Sequence, residues 1–366
     1  MAEISRVLNT TIRKFIAKEQ VNVYKNRKLT DLLQKKGKIS YNWSGEQVEW
    51  PVRFKQIDIE GYDDMGVITF ARKDLWKRAF LPWRGYVATQ VVSRKEKLMN
   101  KGREALVKVW DEAAKIMMSD AKDKFGEECY IDGNAAGNEN RFHGVQSFLG
   151  GTVARSTGFV VNPDDTYANL DTRLAAYGGV IDSGEWPHSS VNDSEFDFWS
   201  PLIVDYSDTL WAAATDTWAN TAIEALRYGI INSKRVKSGR DAGLDVVILS
   251  RQMFREFEEL LDDKERVVIE RGSKTSPLTA LGWGDVVSFE GTDITYEYGV
   301  PVDSSANGIG FGFNTSEMEL RSLDDMFWVP LGPYESEETM SFRFTLNCFG
   351  NFAFNPRAFV AWKKVT

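Results

Sequence analysis

SRKEKLMNKGREALVKVWDEAAKIMMSDAKDKFG, residues Ser93 to Gly126, is the stretch on which the fold turns. Ser93 and Glu96 form a capping box at its start. Leu98, Gly102, Ala105, Val109, Ala113, Ile116 and Met117 recur at helical spacing and mark one apolar stripe. On the wet side Glu104–Lys108, Asp111–Lys115 and Asp120–Lys124 place acid before base at i,i+4. Gly126 is expected to end the helix as its C′ residue. About 31 residues at ~1.5 Å each span roughly 45 Å. Such a helix is a strut, much longer than most globular helices.

Strands flank the strut. Before it, Val48, Trp50, Val52 and Phe54 alternate with Glu49, Pro51, Arg53 and Lys55, which gives one apolar face. Gly61 to Gly66 is the expected turn, and Val67 to Phe70 the start of the return strand. Pro51 cannot donate to a ladder, so this hairpin belongs at an edge or projects. A hairpin alone is marginal, so it must lean on something. After the strut and the loop Asp132-Gly133-Asn134 the pattern is mixed. A helix runs from Asp216 to Tyr228 and ends at Gly229. Leu244–Leu249 reads as a buried strand, and Ser250 caps a helix carrying Met253, Phe254, Phe257, Leu260 and Leu261. Strands follow near Val286, at Ile294–Tyr298 and at Ile309–Phe313, and residues 339–365 alternate again.

The first 40 residues are different in kind. They carry ten Lys and Arg against three Asp and Glu, a net of +7 in a chain whose total is -8, so the remainder holds -15. A basic arm on an acidic body points to a negative partner, either nucleic acid or the body of a neighbouring chain. Ile4, Val7, Leu8, Ile12 and Ile16 have helical spacing, and Thr30 is a good N-cap for a second helix. Too few apolar residues accompany them for the arm to stand alone.

The 366 residues, 43% hydrophobic and 27% charged, can bury a real core. With 12 Trp and 22 Phe, either the core is Trp-rich or aromatics are buried between chains. Two cysteines, Cys129 and Cys348, are too few for a disulfide framework. No signal peptide or membrane-crossing apolar run is present, so a soluble chain made in a reducing compartment is expected, with no role for the sequons at Asn42, Asn192 and Asn314.

Catalytic constellations fail on particular residues. Gly308-Ile309-Gly310-Phe311-Gly312-Phe313 lacks the last glycine of a dinucleotide fingerprint. Gly272-Ser273-Lys274-Thr275 lacks the upstream glycine of a phosphate loop. Asp132-Gly133-Asn134-Ala135-Ala136-Gly137 offers Ala136 where calcium needs oxygen. His143 and His188 lack zinc spacing; either could in principle act as a general base, but for the loop histidine beside Pro187 simple exposure is the plainer reading. Glu256, Glu258, Glu259, Asp262 and Asp263 read as a solvated helix face. No catalytic, cofactor-binding or metal residue is assigned, and no cofactor is expected.

The order of parts resembles the major capsid proteins of tailed phages with the HK97-type fold, an α+β architecture, over nearly the whole chain. Local wording is similar at Tyr130-Ile131-Asp132-Gly133-Asn134, at Phe142 to Leu149, at Tyr177-Gly178-Gly179-Val180-Ile181-Asp182 with Trp186 nearby, and at Gly350-Asn351-Phe352 with Asn355-Pro356-Arg357. The resemblance implies an N-terminal arm (1–45), an E-loop hairpin (46–85), a P-domain strand and spine helix (86–130), an A-domain (131–330) and returning P-domain strands (331–366). It implies a non-enzymatic subunit that assembles as pentamers and hexamers into an icosahedral shell around double-stranded DNA, within the virion capsid and built in the host cytoplasm. Implied partners are further copies, a separate scaffolding protein, DNA near the arm, and portal and decoration proteins, with no membrane. Some relatives join hairpin to P-domain through a Lys–Asn crosslink; here Lys73 or Lys77 would meet Asn347, Asn351 or Asn355. Encapsulin shells and gene-transfer particles share the fold and stay open as alternatives. So do a connector or tail protein and an α/β enzyme with its site between Trp186 and Trp218.

Overall fold

The structure, a computed structural model, describes residues 27–55, 57, 59, 61, 70, 72–95, 103–149, 152–157, 159–179, 195–211, 217–236, 243–263, 285–302, 307–324, 326–336 and 341–365. The expected helix at Ile4–Ile16, the hairpin turn, Glu96, Leu98, Gly102, Trp186, His188 and Gly272–Thr275 lie outside them.

The strut is present as a helix over Arg103–Glu128, which for convenience follows the shorter arm helix α1 (Lys28–Lys35) as α2. Met117, Ala121, Phe125 and Glu128 are buried at i,i+4 and i+3 steps, the spacing of an inward face. Ile116 is exposed, so the stripe is narrower there than the sequence suggests. Lys124 turns to Glu127 and Glu128 instead of pairing back with Asp120. Gly126 does not end the helix, which continues to Glu128. Its missing side chain makes a notch instead: a Cβ there would lie 2.5 Å from Cδ of Arg27. In α1, likewise, Thr30 is buried inside the helix, and no side chain caps the start at Arg27.

Two sheets carry the body. The smaller runs β1 (Ile39–Trp43), β14 (Met318–Leu323), β16 (Ser341–Phe354), β15 (Val329–Ser336), with β4 (Arg84–Ser93) also on β16. Strand β16 is 14 residues long, which lets its first part pair β4 and β15 and its last part pair β14. One face of this sheet packs Leu346, Ala88 and Phe344 on Met117 and Ala121 of α2.

The larger sheet has the order β11-β12-β10-β13-β17-β9-β6-β5, comprising β5 (Thr152–Thr157), β6 (Val160–Pro163), β9 (Leu202–Asp205), β10 (Val246–Leu249), β11 (Val287–Phe289), β12 (Thr292–Tyr296), β13 (Gly310–Phe313) and β17 (Val360–Lys363). Between β6 and β9 come two short paired strands, β7 (Thr166–Tyr167) and β8 (Leu170–Asp171). Val246 and Ile248 face one core cluster while Val247 and Leu249 face the other, so this strand is apolar throughout, as strands buried on both faces are. Helices α3 (Trp218–Ser233) and α4 (Arg251–Asp263) lie on the second face. The last strand of the chain, β17, thus enters the larger sheet, whereas β14 returns to the smaller.

Trp362 at the centre of β17 explains three glycines. Gly229 lies inside α3 and does not terminate it; a Cβ there would come within 2.8 Å of the indole Cε2. Gly310 and Gly312 present bare backbone to Leu249, Leu244 and the same indole, while Phe311 and Phe313 point to Tyr130 on the other face. The alternating Gly–Phe run is therefore a strand fitted around a tryptophan. Ser250 precedes α4 as expected, but its hydroxyl is buried without a hydrogen-bond partner and caps nothing.

Candidate functional site: the arm seat and the hairpin root

Two elements leave the body, the arm and the hairpin, and each is anchored by a polar constellation. At the arm seat Arg27 enters the notches of Gly126 and Gly299 with its side chain 2% exposed. Its Nε lies 2.8 Å from Asp123 Oδ1, Nη2 lies 3.1 Å from Glu127 Oε1, and Nη1 donates to the Tyr298 carbonyl at 2.9 Å. Lys28, also buried, donates to Thr295 Oγ1 at 2.6 Å and lies over the Tyr296 ring. Burial lowers its pKa, against the raising influence of Asp285 and Glu297. The N–H of Leu29 and the hydroxyl of Tyr130 both donate to Glu297 Oε2. Burial pushes that carboxyl up to about 7, against the opposing pull of these two donors, Arg27 and Lys28. Its Oε1 has no hydrogen-bond partner.

Further along, Lys36 pairs with Asp245 at 3.1 Å and Lys38 donates to the Ser316 carbonyl. Leu29, Leu32 and Leu33 are buried in the core between these charges. Four of the ten basic residues in the arm therefore neutralise or solvate groups of the same chain. A negative partner for the arm is met in part by its own acidic body, an alternative that composition alone did not suggest.

The hairpin pairs β2 (Gln47–Arg53) with β3 (Trp76–Pro82), from Gln47↔Pro82 to Arg53↔Trp76. Val48, Ala79 and Leu81 are buried at its root. Phe80 donates its N–H outward to the Ala168 carbonyl, so Glu49↔Phe80 is a non-hydrogen-bonded rung. Two residues on, Pro51↔Arg78 is another such rung, and Pro51 forfeits no ladder bond there. The outward carbonyls are also met. Arg321 Nη1 donates to Glu49 O at 2.9 Å, and Asn351 Nδ2 donates to Pro82 O at 2.9 Å. Arg321 also lies 4.1 Å over the Trp43 ring of β1 and 5.5 Å over Trp50 of β2.

His143 is buried behind this root. Its Nδ1 is 2.9 Å from Asn351 Nδ2, and its N–H donates to Asn351 Oδ1. Burial, then the charge of Arg84, holds the imidazole down at about 4, against the hydrogen bond from Asn351. Both ends of the Asn351 amide are thus engaged within the chain. The Asn355 amide is held by Glu317, and Lys77 lies over Phe54 and Tyr177.

Other residues singled out from sequence have structural duties. Asp132 Oδ1 accepts the Asn134 N–H, and Arg84 donates to the carbonyls of Gly133, Asn138 and Arg141, so the loop after α2 is tied from within. No cluster able to hold a metal occurs among the described residues. Glu256 bonds Gln252 and Glu259 pairs with Arg255 on an open helix face. Trp199, Trp211 and Trp218 are buried and donate to the carbonyls of Tyr167, Asp205 and Met253, which makes this part of the Trp-rich region core. Cys129 and Cys348 are buried thiols, the latter pushed by burial up to about 12.

Beyond the two anchors, apolar groups remain bare. On the hairpin Ile59 is 95% and Phe70 91% exposed, with Ile57 and Trp76 also open. On the smaller sheet Val87, Val91, Tyr334 and Phe349 are exposed, and their cross-strand register puts them on the face away from α2.

No family model matches the sequence, and no curated protein does. Solved structures do match, end to end. A chain of the cyanophage A-1(L) capsid asymmetric unit superposes with TM-score 0.63 at 14% identity, covering 98% of both chains. The capsid of a native GTA particle gives 0.53 at 12% identity over 98% of this chain and 99% of that one. The mature capsid of bacteriophage PhiM1 gives 0.50 at 11% over 97% and 92%. The chain has the HK97-type capsid fold, an α+β architecture.

Proposed function

We propose that this chain is the shell-forming subunit of a capsid, assembling as pentamers and hexamers into an icosahedral shell around double-stranded DNA. The observation that carries the reading is the bare apolar hairpin with Ile59 and Phe70, attached to a fold whose similar chains build capsids. A two-stranded hairpin is marginal by itself and gains stability when its apolar groups are covered. A second copy offers such cover: the outer sheet face exposes Val87, Val91, Tyr334 and Phe349 among Thr89 and Arg343. Each copy then gives one contact and receives one, which closes into rings and shells. Such a role needs no catalysis.

In this reading residues 1–45 are the arm, 46–85 the E-loop, 86–130 the P-domain strand and spine helix, 131–330 the A-domain and 331–366 returning P-domain strands, with β14 and β17 crossing that division. The basic residues Arg6, Arg13, Lys14, Lys18 and Lys25 would face DNA or a scaffolding protein, portal and decoration proteins would complete the particle, and assembly would take place in the host cytoplasm. Because one similar structure is a GTA particle, the reading specifies a shell and not the kind of particle.

Negative-stain electron microscopy of the purified chain, alone and co-expressed with a neighbouring scaffold gene, tests this. Round shells of uniform diameter, or discrete capsomers, are expected. Monomers under both conditions overturn it.

A further inference from the structure

We propose that Arg321 and Asn351 act together as a positioning clamp that sets the direction in which the hairpin leaves the body. The two are cross-strand partners, Arg321 on β14 and Asn351 on β16, so their side chains emerge side by side on one face. Each donates to a main-chain carbonyl of a different hairpin strand, Arg321 to Glu49 and Asn351 to Pro82. The rung parity explains why both carbonyls are available. At non-hydrogen-bonded rungs the carbonyls point out of the ladder, and at Glu49↔Phe80 the Phe80 N–H is taken by Ala168. The hairpin root is thus held from both of its edges while its own ladder stays complete.

Both donors are themselves fixed. The Oδ1 of Asn351 accepts the N–H groups of His143 and Phe352, which leaves Nδ2 as the end facing Pro82 and the His143 Nδ1. Arg321 is held by Glu319 through Nε at 2.9 Å and lies over the rings of Trp43 and Trp50. Trp43 belongs to the arm strand β1 and Trp50 to the hairpin, so one guanidinium joins the two projecting elements. A strand pair advances about 3.3 Å per residue, so a few degrees of rotation at this rung grow along the hairpin. The clamp's purpose rests on the shell reading, since a hairpin that reaches another copy must leave at one angle. Its test does not.

The test is a spin-label distance between Asp74→Cys on the hairpin and Glu224→Cys on α3, in the dispersed full-length chain. Both positions are exposed and both native cysteines are buried, so labelling is selective. The unaltered clamp should give one narrow distance distribution. Asn351→Asp keeps the acceptor for the His143 and Phe352 N–H groups but loses the donor to Pro82. Arg321→Met keeps the aliphatic stem and loses the donor to Glu49; being nearer the surface, it serves if the Asn351 variant does not fold. Each is expected to broaden or shift the distribution while circular dichroism stays unchanged. A distribution as narrow and as centred as the parent's in a folded variant overturns the clamp. Broadened distances in a chain that never forms shells would sink the shell reading alone, and unchanged distances with normal shells would sink the clamp alone.

Discussion

The arm and the hairpin are both extensions that cannot stand alone, yet they are fastened by different means. The arm is seated by charge: Arg27, Lys28, Lys36 and Glu297 exchange their hydration for partners inside the body. The hairpin is held at its root chiefly through its main-chain carbonyls, which take the Arg321 guanidinium and the Asn351 amide as donors, and beyond Phe54 it presents Ile59 and Phe70 to water. Buried charge is costly unless matched, so the arm seat has one acceptable geometry. An apolar surface is non-directional and takes whatever apolar partner covers it. The contrast places the arm's described part within the chain's own fold and leaves Ile59 and Phe70 of the hairpin's outer part uncovered by it.

The strongest way to break that contrast is Arg27→Ala. It takes the buried guanidinium away from Asp123, Glu127 and the Tyr298 carbonyl at once, with Lys124 still beside Glu127, and should cost about 3 kcal/mol in chemical denaturation. A loss below about 0.5 kcal/mol, the level of an ordinary surface change, would mean the arm is laid on the body without being seated.

Acid should separate the two anchors. Glu297 has a folded pKa of about 7 against an ordinary 4.5, so the folded chain holds more protons between those values and the arm seat strengthens as pH falls through them. The full span is on the order of 3 kcal/mol, and Glu297→Gln should remove it and leave the chain more stable above pH 7. His143 runs the other way. Its pKa falls from 6.5 to about 4, so the stabilisation present above 6.5 is lost as pH drops towards 4, and Nδ1 then turns an N–H towards the Asn351 amide. Arg84 is the charge that acts on it, with Tyr167 against the ring and Asp164, Asp165, Asp171 and Arg173 lining the adjoining groove. Amide exchange between pH 7.5 and 5, corrected for intrinsic rates, should show peptides around Leu29 gaining protection while those around Val48 and Leu81 lose it. Both moving in the same direction would erase the distinction.

Smaller, but sharper in sign, is Gly126→Ala. In an ordinary helix interior the change stabilises by about 0.5–1 kcal/mol. Here the new methyl meets Arg27, so a loss of about 1–2 kcal/mol is expected, and in an Arg27→Ala background the sign should reverse. Gly126 also shows why sequence reading went astray where it did. A glycine at the end of an apolar periodicity signals a helix stop or a close approach, and only the partner tells which. For Gly126 the partner is Arg27, for Gly229 it is Trp362, both distant in sequence. What depends on local pattern was readable: the strut, the alternating hairpin that must lean on something, and the buried strand at Val246–Leu249. What depends on long-range pairing was not, including the arm's charges turning inward and the burial of His143 behind the hairpin. Arg321 carries no local signal, and the local wording around Asn351 did not disclose its role, which comes from standing opposite Arg321 across β14 and β16.

The smallest effect on stability belongs to Ile59→Ser with Phe70→Ser, and it is the one that isolates the hairpin's outer half. Neither side chain is covered, so the double variant should unfold within about 0.5 kcal/mol of the parent. Sedimentation should nonetheless find it unable to form large particles, because the apolar area it removes is the area a second copy would bury. An unaltered particle yield would detach the exposed hairpin residues from assembly and move the contact to the sheet face bearing Val87 and Val91. A large loss of stability would instead mean that the hairpin folds back on its own chain, and the two extensions would then be fastened alike.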